Sequence, residues 1–400
     1  MPRRKHVLIV VQNMPVPLDR RVWLECQSLV AAGYDVSVIC PKGPGEPSYE
    51  ARDGVQLHKY RAVSAARGVL AYGTEFLYCW IRALLLTWRI HRRNPIDAIQ
   101  ACNPPDTYWA LGRIFKRFGT KFVFDHHDLC PELYESKPGP HRPVIARTLR
   151  WLERKTYDTA DLLLTTNESY RSVACARTGH PASEAIVIRS GPDPDSMRAG
   201  EPRPELRRGR AHLACYLGLM NPQDGVDLVV RVADVVVHEM GRDDIQFGVL
   251  GYGDCLDELR QLTTELALDD HVTFTGRAEL PTITDWLSTA DVGIGPDPYT
   301  LFNDLSTMNK TLEYLAFGLP VVAFELTETV VSAGPAATYV APSSDKSDGA
   351  RRLAIALVEL IDDPQRRAKM GAIGRARIEE SLGWPVSAAN YVAAYGRLLQ

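Results

Sequence analysis

Short apolar runs alternate with segments of helical period along most of the chain. "HVLIVVQ", from His6, reads as a buried strand. "DRRVWLECQSLVAAGY", from Asp19, reads as an amphipathic helix closed at Gly33, and "DVSVICP" as the next strand. The alternation continues through "DAIQACNPPD", the helical "TYWALGRIFKRFG", the strand "KFVFDHHDL", a helix near "IARTLRWLERKTYDTA", the strand "DLLLTTNES" and "AIVIRSGPDP". Strands separated by helices of this length imply parallel β-α-β units, and unbroken apolar strands imply a sheet covered on both faces.

The pattern stops at Ser190–His212, a polar stretch rich in proline and arginine with neither helical nor strand period. It then restarts with "LACYLGLM", "DGVDLVVRVADVVVHEM", "IQFGVLGYGD", "HVTFTGR", "DVGIGPDP" and "PVVAFEL", separated by helical segments. The expectation is an α/β protein of two Rossmann-like domains. The first spans 1–195, a linker 196–212, the second domain 213–378 and a closing helix 379–400. Ligands of open α/β sheets bind at the carboxyl ends of the strands, so a cleft between two such sheet edges is expected to hold the site.

Composition narrows the class. The chain has 400 residues, 45% of them hydrophobic, and can bury a large core without staples. A net charge of −3 offers no electrostatic footprint for nucleic acid. The 8 cysteines form no C-x-x-C pair and lie in apolar segments, which suits a reducing cytoplasm. The basic start "MPRRKHVLIVVQNMP" reads as a first strand rather than a signal peptide, and no run is long and apolar enough for a transmembrane helix.

"STMNKTLEYLAFGLPVVAFEL", Ser306 to Leu326, carries the first candidate chemistry. Leu312, Leu315, Ala316 and Phe317 repeat at helical spacing, with Lys310 and Glu313 three apart on a neighbouring face. The helix is expected to begin at Ser306 and Thr307, where free N–H groups and the dipole favour a diphosphate. Lys310 would add a full charge in the first turn. Glu313 could accept from two adjacent hydroxyls, as a ribose offers. The competing reading is a surface helix with a Lys–Glu pair.

This stretch resembles the donor-site motif of retaining glycosyltransferases of family 4, which have the two-domain GT-B fold. "YLGLMNPQDGVDLVV", "FGVLGYGDCLDEL", "VTFTGRAELPTITDWLSTADVGIGPD" and "SLGWPVSAANYVAAYGRLL" resemble further units of that family in order. "QDGVD" and the spacing Ser306, Lys310, Glu313, Tyr314 are similar to a bacterial polysaccharide-assembly subset. The resemblance implies a nucleotide-sugar as donor substrate, UDP-linked by base rate within the family, transfer with retention, and no metal or other cofactor. It implies donor contacts from Gly218, Gly251 and Gly253, from Arg277 near the nucleobase, from Asp304, Ser306, Thr307 and Asn309, and from Lys310 and Glu313. Two features depart from the family. Leu305 stands where the family has an acid, with Asn303 and Asp304 the nearest polar residues. Asn221, Gln223 and Asp224 stand where it has a basic pair.

On the first domain, "FVFDHHDLCPELY" ends a strand in Asp125-His126-His127-Asp128. Metal ligation and a structural histidine pair are two readings. Adjacent strand residues point to opposite faces, which weakens the first. The resemblance implies a third, with His127 under the donor sugar and Asp128 orienting it or touching the acceptor. In "NMPVPLDRRVWLE" Asp19 is a good N-cap, and Arg20 or Arg21 could reach an anionic phosphate on the acceptor side. Thr74–Arg93 places Phe76, Leu77, Trp80, Ile81, Leu84, Leu85 and Trp88 on one helical face. That face either packs on the first sheet or lies on a membrane surface, which a lipid-linked acceptor would require. Asp193 and Asp195 form a D-x-D, discounted because it falls in the expected linker.

The combined expectation is a retaining glycosyltransferase, cytoplasmic or peripheral on the inner face of the cell membrane. His127, Lys310 and Glu313 would act in catalysis and the departing diphosphate would take the acceptor's proton. The acceptor would be a glycan, a lipid-linked sugar or a small molecule. A nucleotide-sugar epimerase of the same architecture and a non-catalytic nucleotide-sugar-binding protein are the competing classes.

Overall fold

The computed structural model describes residues 3–43, 45–62, 69–137, 139–179, 181 and 184–400. The chain divides into two compact units. One comprises Met1–Glu135, His141–Arg189 and Ser387–Gln400, the other Ser136–Pro140 and Ser190–Val386. The units therefore divide at Ser190 and Ser387, not at the expected 195 and 379. The stretch 196–212 is not a free tether. Gly200 N–H donates to Ser288 Oγ at 2.8 Å and Arg203 N–H to Thr289 Oγ1 at 2.7 Å, while Pro204–Arg207 form a 3₁₀ turn. A sequence without period satisfies its backbone on side chains of the second unit instead of in a ladder of its own.

The first unit is built on eight strands: β1 (His6–Val10), β2 (Asp35–Lys42), β3 (Tyr49–Arg52), β4 (Val55–Arg61), β5 (Ala98–Cys102), β6 (Lys121–His126), β7 (Leu162–Thr165) and β8 (Ala185–Val187). Their order is β3-β4-β2-β1-β5-β6-β7-β8. All pairs are parallel except β3 with β4, a hairpin absent from the sequence reading. Asp53 and Gly54 turn it, both at positive φ (48° and 82°), as an Asp-Gly turn allows.

Alternation along β5 and β6 sorts their residues onto two faces. Ile99, Ala101, Phe122 and Phe124 join a buried cluster with Leu111, Phe115, Tyr157 and the long helix Val69–Arg93. Gln100 and Asp125, one residue out of phase, face the helix Arg20–Ala31 and the C-terminal helix Trp384–Leu398. That last helix begins in the second unit and ends packed in the first, with Tyr391 and Tyr395 fully buried.

The long helix divides the face that the sequence reading treated as one, since Trp80 and Leu84 pack against the buried cluster. Its buried stripe is Cys79, Ala83, Thr87 and Ile90, whereas Phe76, Leu77, Ile81, Leu85 and Trp88 are exposed. The face with the largest apolar side chains is the solvent face. No described helix is long and apolar enough to cross a membrane.

The second unit is a six-stranded parallel sheet: β9 (His212–Leu217), β10 (Ile245–Leu250), β11 (Val272–Gly276), β12 (Val292–Gly295), β13 (Val321–Phe324) and β14 (Ala337–Val340), in the order β11-β10-β9-β12-β13-β14. Ala214, Tyr216, Phe247, Ile294 and Phe324 enter one buried cluster, while Leu213, Cys215, Leu217, Val321 and Ala323 enter another. Sequence neighbours thus pack on opposite faces. Both faces are covered, and each large side chain withdrawn from water contributes about 1.5–3 kcal/mol.

Candidate active site

In the second unit the loops after β9, β10 and β11 are joined by their backbones. Gly218 N–H donates to the Leu250 carbonyl at 3.0 Å, Met220 N–H to that of Tyr252 at 2.9 Å and Gly251 N–H to that of Gly276 at 3.1 Å. Gly251 has φ +135°, and a Cβ there would sit 1.8 Å from the Gly218 carbonyl oxygen; one on Gly253 would meet Met220 backbone at 2.5 Å. The expectation that Gly251 and Gly253 open the backbone to a ligand is corrected. The close approach they permit is to the neighbouring loop.

Residues Asn309–Ala316 form the motif helix, so it starts three residues later than expected. Ser306 instead closes a separate short helix, Leu301–Leu305, its hydroxyl donating to the Phe302 carbonyl at 2.6 Å. Thr307 lies between the two helices. The N-cap Met308 provides no side-chain acceptor for the first turn. Tyr314 locks this helix to the sheet: its hydroxyl accepts from Leu217 N–H at 2.8 Å and donates to the Ile294 carbonyl at 3.2 Å. A tyrosine bonded to the ends of β9 and β12 thereby positions Lys310 and Glu313 beside the loop at Gly218.

Lys310 is buried and pairs with Asp297 at 2.5 Å, its ammonium 5.5 Å from the centre of the Tyr216 ring. A Cβ on Gly218 would come within 3.2 Å of Lys310 Cε. Lys310 is therefore not the lone cation the sequence suggested. An ammonium has three donors, and Asp297 engages one. Burial pushes the nearby Asp224 carboxyl up to about 6, against the pull of Lys310. Glu313 is half-buried one turn further along.

Asp304, a proposed donor residue, and its neighbour Asn303 are engaged within the unit. Asp304 accepts from Thr327 N–H at 2.8 Å and Thr327 Oγ1 at 2.9 Å, tying the short helix to the start of Thr327–Ala333. Asn303 is buried and donates to the Gln223 and Pro298 carbonyls at 3.1 and 2.8 Å. Arg277 is exposed and stacks over Tyr252, 5.6 Å from its ring centre.

The first unit holds a second constellation. Asp19 caps the helix Arg20–Ala31 through Val22 N–H. Arg20 is exposed, whereas Arg21 is buried. The Arg21 guanidinium meets Asp125 Oδ1 at 2.8 Å, Glu25 Oε1 at 3.0 Å and the Ile188 carbonyl at 2.6 Å. His127 Nε2 lies 2.7 Å from Asp125 Oδ2. Burial works against the Asp125 charge, but Arg21 and His127 outweigh it and hold the carboxyl well below its usual range. Burial and the Asp125 charge push Glu25 well above its own. Asp125 is thus the ionised acid. His127 Nε2 lies between two partners, Asp125 Oδ2 and the donor Arg21 Nε at 3.0 Å.

Asp125 holds the His127 ring, a partner the sequence reading did not assign to it. Asn103 accepts from the backbone N–H groups of His127 and Asp128, at 2.6 and 3.1 Å, and fixes the turn that presents the imidazole. His126 points to the opposite face, fully buried among Phe124, Tyr157 and Tyr170. Burial, then the Arg177 charge, lower it to about 3, so it is neutral and structural.

Cys102, Asp125 and His127 bring ligand-type atoms within 4.8 Å of one another. Arg21 already supplies the positive charge at that carboxylate, and burial raises the Cys102 thiol well above its usual range, away from a thiolate. The arrangement is that of an ion pair rather than a cation site. Gln100, Asn103 and Asp297 carry these two sites beyond the residues that the sequence motifs named. A glutamine within the apolar strand "AIQAC" and an aspartate closing "KFVFD" were the available signals.

Two parallel α/β units of this kind define a GT-B glycosyltransferase. Residues 18–191 match the family described as glycosyl transferase 4-like domain, and residues 211–363 that described as glycosyl transferases group 1. The chain belongs to glycosyltransferase family 4, an enzyme family of the glycosyl-transferring class. A GDP-mannose-dependent monoacylated alpha-(1-6)-phosphatidylinositol monomannoside mannosyltransferase of Corynebacterium glutamicum is 32% identical over 177 residues, which spans 44% of either chain. A D-inositol 3-phosphate glycosyltransferase of Thermomonospora curvata is 28% identical over 72% of this chain and 69% of its own. The solved sucrose-phosphate synthase of Thermosynechococcus elongatus superposes with a TM-score of 0.77 over 99% of both chains at 19% identity.

Proposed function

We propose that this protein transfers a hexose from a nucleoside-diphosphate sugar to a hydroxyl-bearing acceptor with retention at the anomeric carbon. The observation that carries the reading is the buried Lys310–Asp297 pair beside Gly218, with Glu313 one turn along the same helix. The remaining Lys310 donors would bind the diphosphate, and Glu313 the ribose hydroxyls. The anomeric bond to the diphosphate breaks, the acceptor oxygen bonds to the same face, and the acceptor's proton passes to the departing phosphate oxygen. The protein's share is positioning and stabilising the charge that develops on the leaving group. His127, held at Nε2 between Asp125 and Arg21, would support the sugar. No step calls for a metal.

The Corynebacterium relative is named as GDP-mannose-dependent, so GDP-mannose stands beside UDP-hexoses as donor. That relative's name also specifies a phosphatidylinositol glycoside as acceptor, and a lipid-linked acceptor suits the exposed apolar face of Val69–Arg93. We place that face on an anionic membrane surface.

Thermal unfolding with UDP, GDP and their sugars, on wild type and Glu313→Ala, tests the donor site. A ligand at ~100 times its dissociation constant stabilises by about 2.7 kcal/mol. One base should raise the midpoint, and Glu313→Ala should lose ~1–3 kcal/mol of that binding. Equal shifts in both proteins would remove Glu313 from the donor site.

A further inference from the structure

Gln100 is fully buried at the middle of β5, where a parallel strand covered on both faces calls for an apolar side chain. Its amide is saturated in one orientation. Oε1 accepts from the Tyr391 hydroxyl at 2.6 Å and the Tyr395 hydroxyl at 2.7 Å. Nε2 donates to Glu25 Oε2 at 2.8 Å and to Asp125 Oδ2 at 3.0 Å. Reversing the amide would set its oxygen against the ionised Asp125 carboxylate, so the charge there favours this orientation. Asp125 Oδ2 is also the oxygen that holds His127 Nε2.

A chain of buried hydrogen bonds therefore runs from the C-terminal helix through one amide and one carboxylate to the imidazole. The two tyrosines are one helical turn apart with ring centres 5.1 Å from each other, so they present both hydroxyls to one acceptor. The helix that carries them starts in the second unit and is seated in the first.

We propose that Gln100 is a positioning residue that links the seating of the C-terminal helix to the orientation of His127. With both hydroxyls present, the amide oxygen is satisfied and Nε2 stays on Asp125. Asp125 then keeps one geometry and holds His127 Nε2 in place. Without them the amide oxygen is buried and unsatisfied, the amide is free to turn, and Asp125 loses a donor. Seating of the final helix is then a condition for an ordered imidazole. This rests on the functional reading only for its consequence in catalysis; the structural link stands apart from it.

The test is ¹⁵N NMR of the histidine rings of the full chain without nucleotide, with His127 assigned by the signal lost in His127→Gln. In wild type, the two His127 ring nitrogens should give one sharp, distinct pair of resonances. In Tyr391→Phe with Tyr395→Phe, which keeps both rings and removes only the hydroxyls, both resonances should shift and broaden as the ring samples more than one hydrogen-bond arrangement. Tyr395→Phe alone, leaving one donor on Gln100, should give an intermediate spectrum and covers the case in which the double variant does not fold. Ala394→Gly loosens the same buried helix without touching a hydroxyl and should leave the His127 signals in place.

Unchanged His127 signals in the tyrosine variants, or an equal change in Ala394→Gly, would overturn the proposal. Donor hydrolysis then reads the consequence: kcat should fall about tenfold in the double variant at unchanged KM for the nucleotide-sugar. No turnover by wild type with any donor would count against the transferase reading and leave the NMR result standing.

Discussion

At the scale of single residues, buried charges in both units are balanced one against another. Lys310 and Asp297 lie under the donor loop with side chains less than 10% exposed. Breaking such a pair from one side strands a charge, at a cost of about 3–5 kcal/mol. Asp297→Asn should therefore melt earlier than wild type without nucleotide. The same change releases the ammonium for phosphate oxygens, so a nucleoside diphosphate should raise the variant's midpoint by more than it raises that of wild type. Calorimetry with and without the nucleotide measures both; equal increments would separate Lys310 from the diphosphate. Lys310 and Glu313 were legible as chemistry because their spacing interrupts an apolar helix. Asp297 was not, since "GPDP" reads as a turn and only folding sets it against Lys310.

Among the elements, Val69–Arg93 presents the sharpest mismatch between pattern and placement. Leu77 is 60% and Leu85 56% exposed, and Trp88 edges against the exposed Phe118 at 5.6 Å. Arg89, Arg92 and Arg93 are exposed at its end, with Arg92 stacked over Trp88 at 5.4 Å, and Glu75 is the helix's one acid. Apolar rings beside arginines match the boundary of an anionic bilayer, where each basic side chain contributes about 1 kcal/mol. The protein should sediment with phosphatidylglycerol vesicles more than with phosphatidylcholine ones. Leu77→Glu with Leu85→Glu should reduce that binding at least ~10-fold at unchanged melting temperature. Binding indifferent to the two substitutions would place the contact elsewhere. The sequence contained both alternatives for this helix. Cys79, Ala83 and Thr87, small enough for close packing on the sheet, decided which face turned inward.

For the molecule as a whole, stability should depend on pH through acids with no functional part. Both Asp106 carboxylate oxygens are buried without a hydrogen-bond partner among the described residues. Burial, then the charge of Glu153, push Asp106 up to about 7. Burial pushes Glu153 itself to about 7 against the pull of Arg177. Each folded acid holds its proton to higher pH than the unfolded chain does. Between the ordinary carboxyl range and about 7 the folded state binds more protons, so stability falls as pH rises through that window and levels above it. Asp106→Asn should flatten the decline and melt several degrees above wild type near pH 8, about 3 °C for each kcal/mol recovered. Melting curves from about pH 5 to 8 provide the comparison; parallel pH profiles for the two proteins would acquit Asp106.

The sequence by itself determined the two α/β halves, most of their parallel strands and the motif helix with Lys310 and Glu313. Periodicity is a local property, and apolar runs of this length admit few other folds. The tertiary structure alone decided which charges meet. It set Asp297 on Lys310, Asp125 on His127, Asp304 on a helix start, and two tyrosines near the C-terminus on a glutamine almost three hundred positions earlier. Local pattern assigns a residue to a face. The partner it meets there is fixed only when distant strands and helices stack, because desolvation removes water as the alternative partner and obliges each buried polar group to find another.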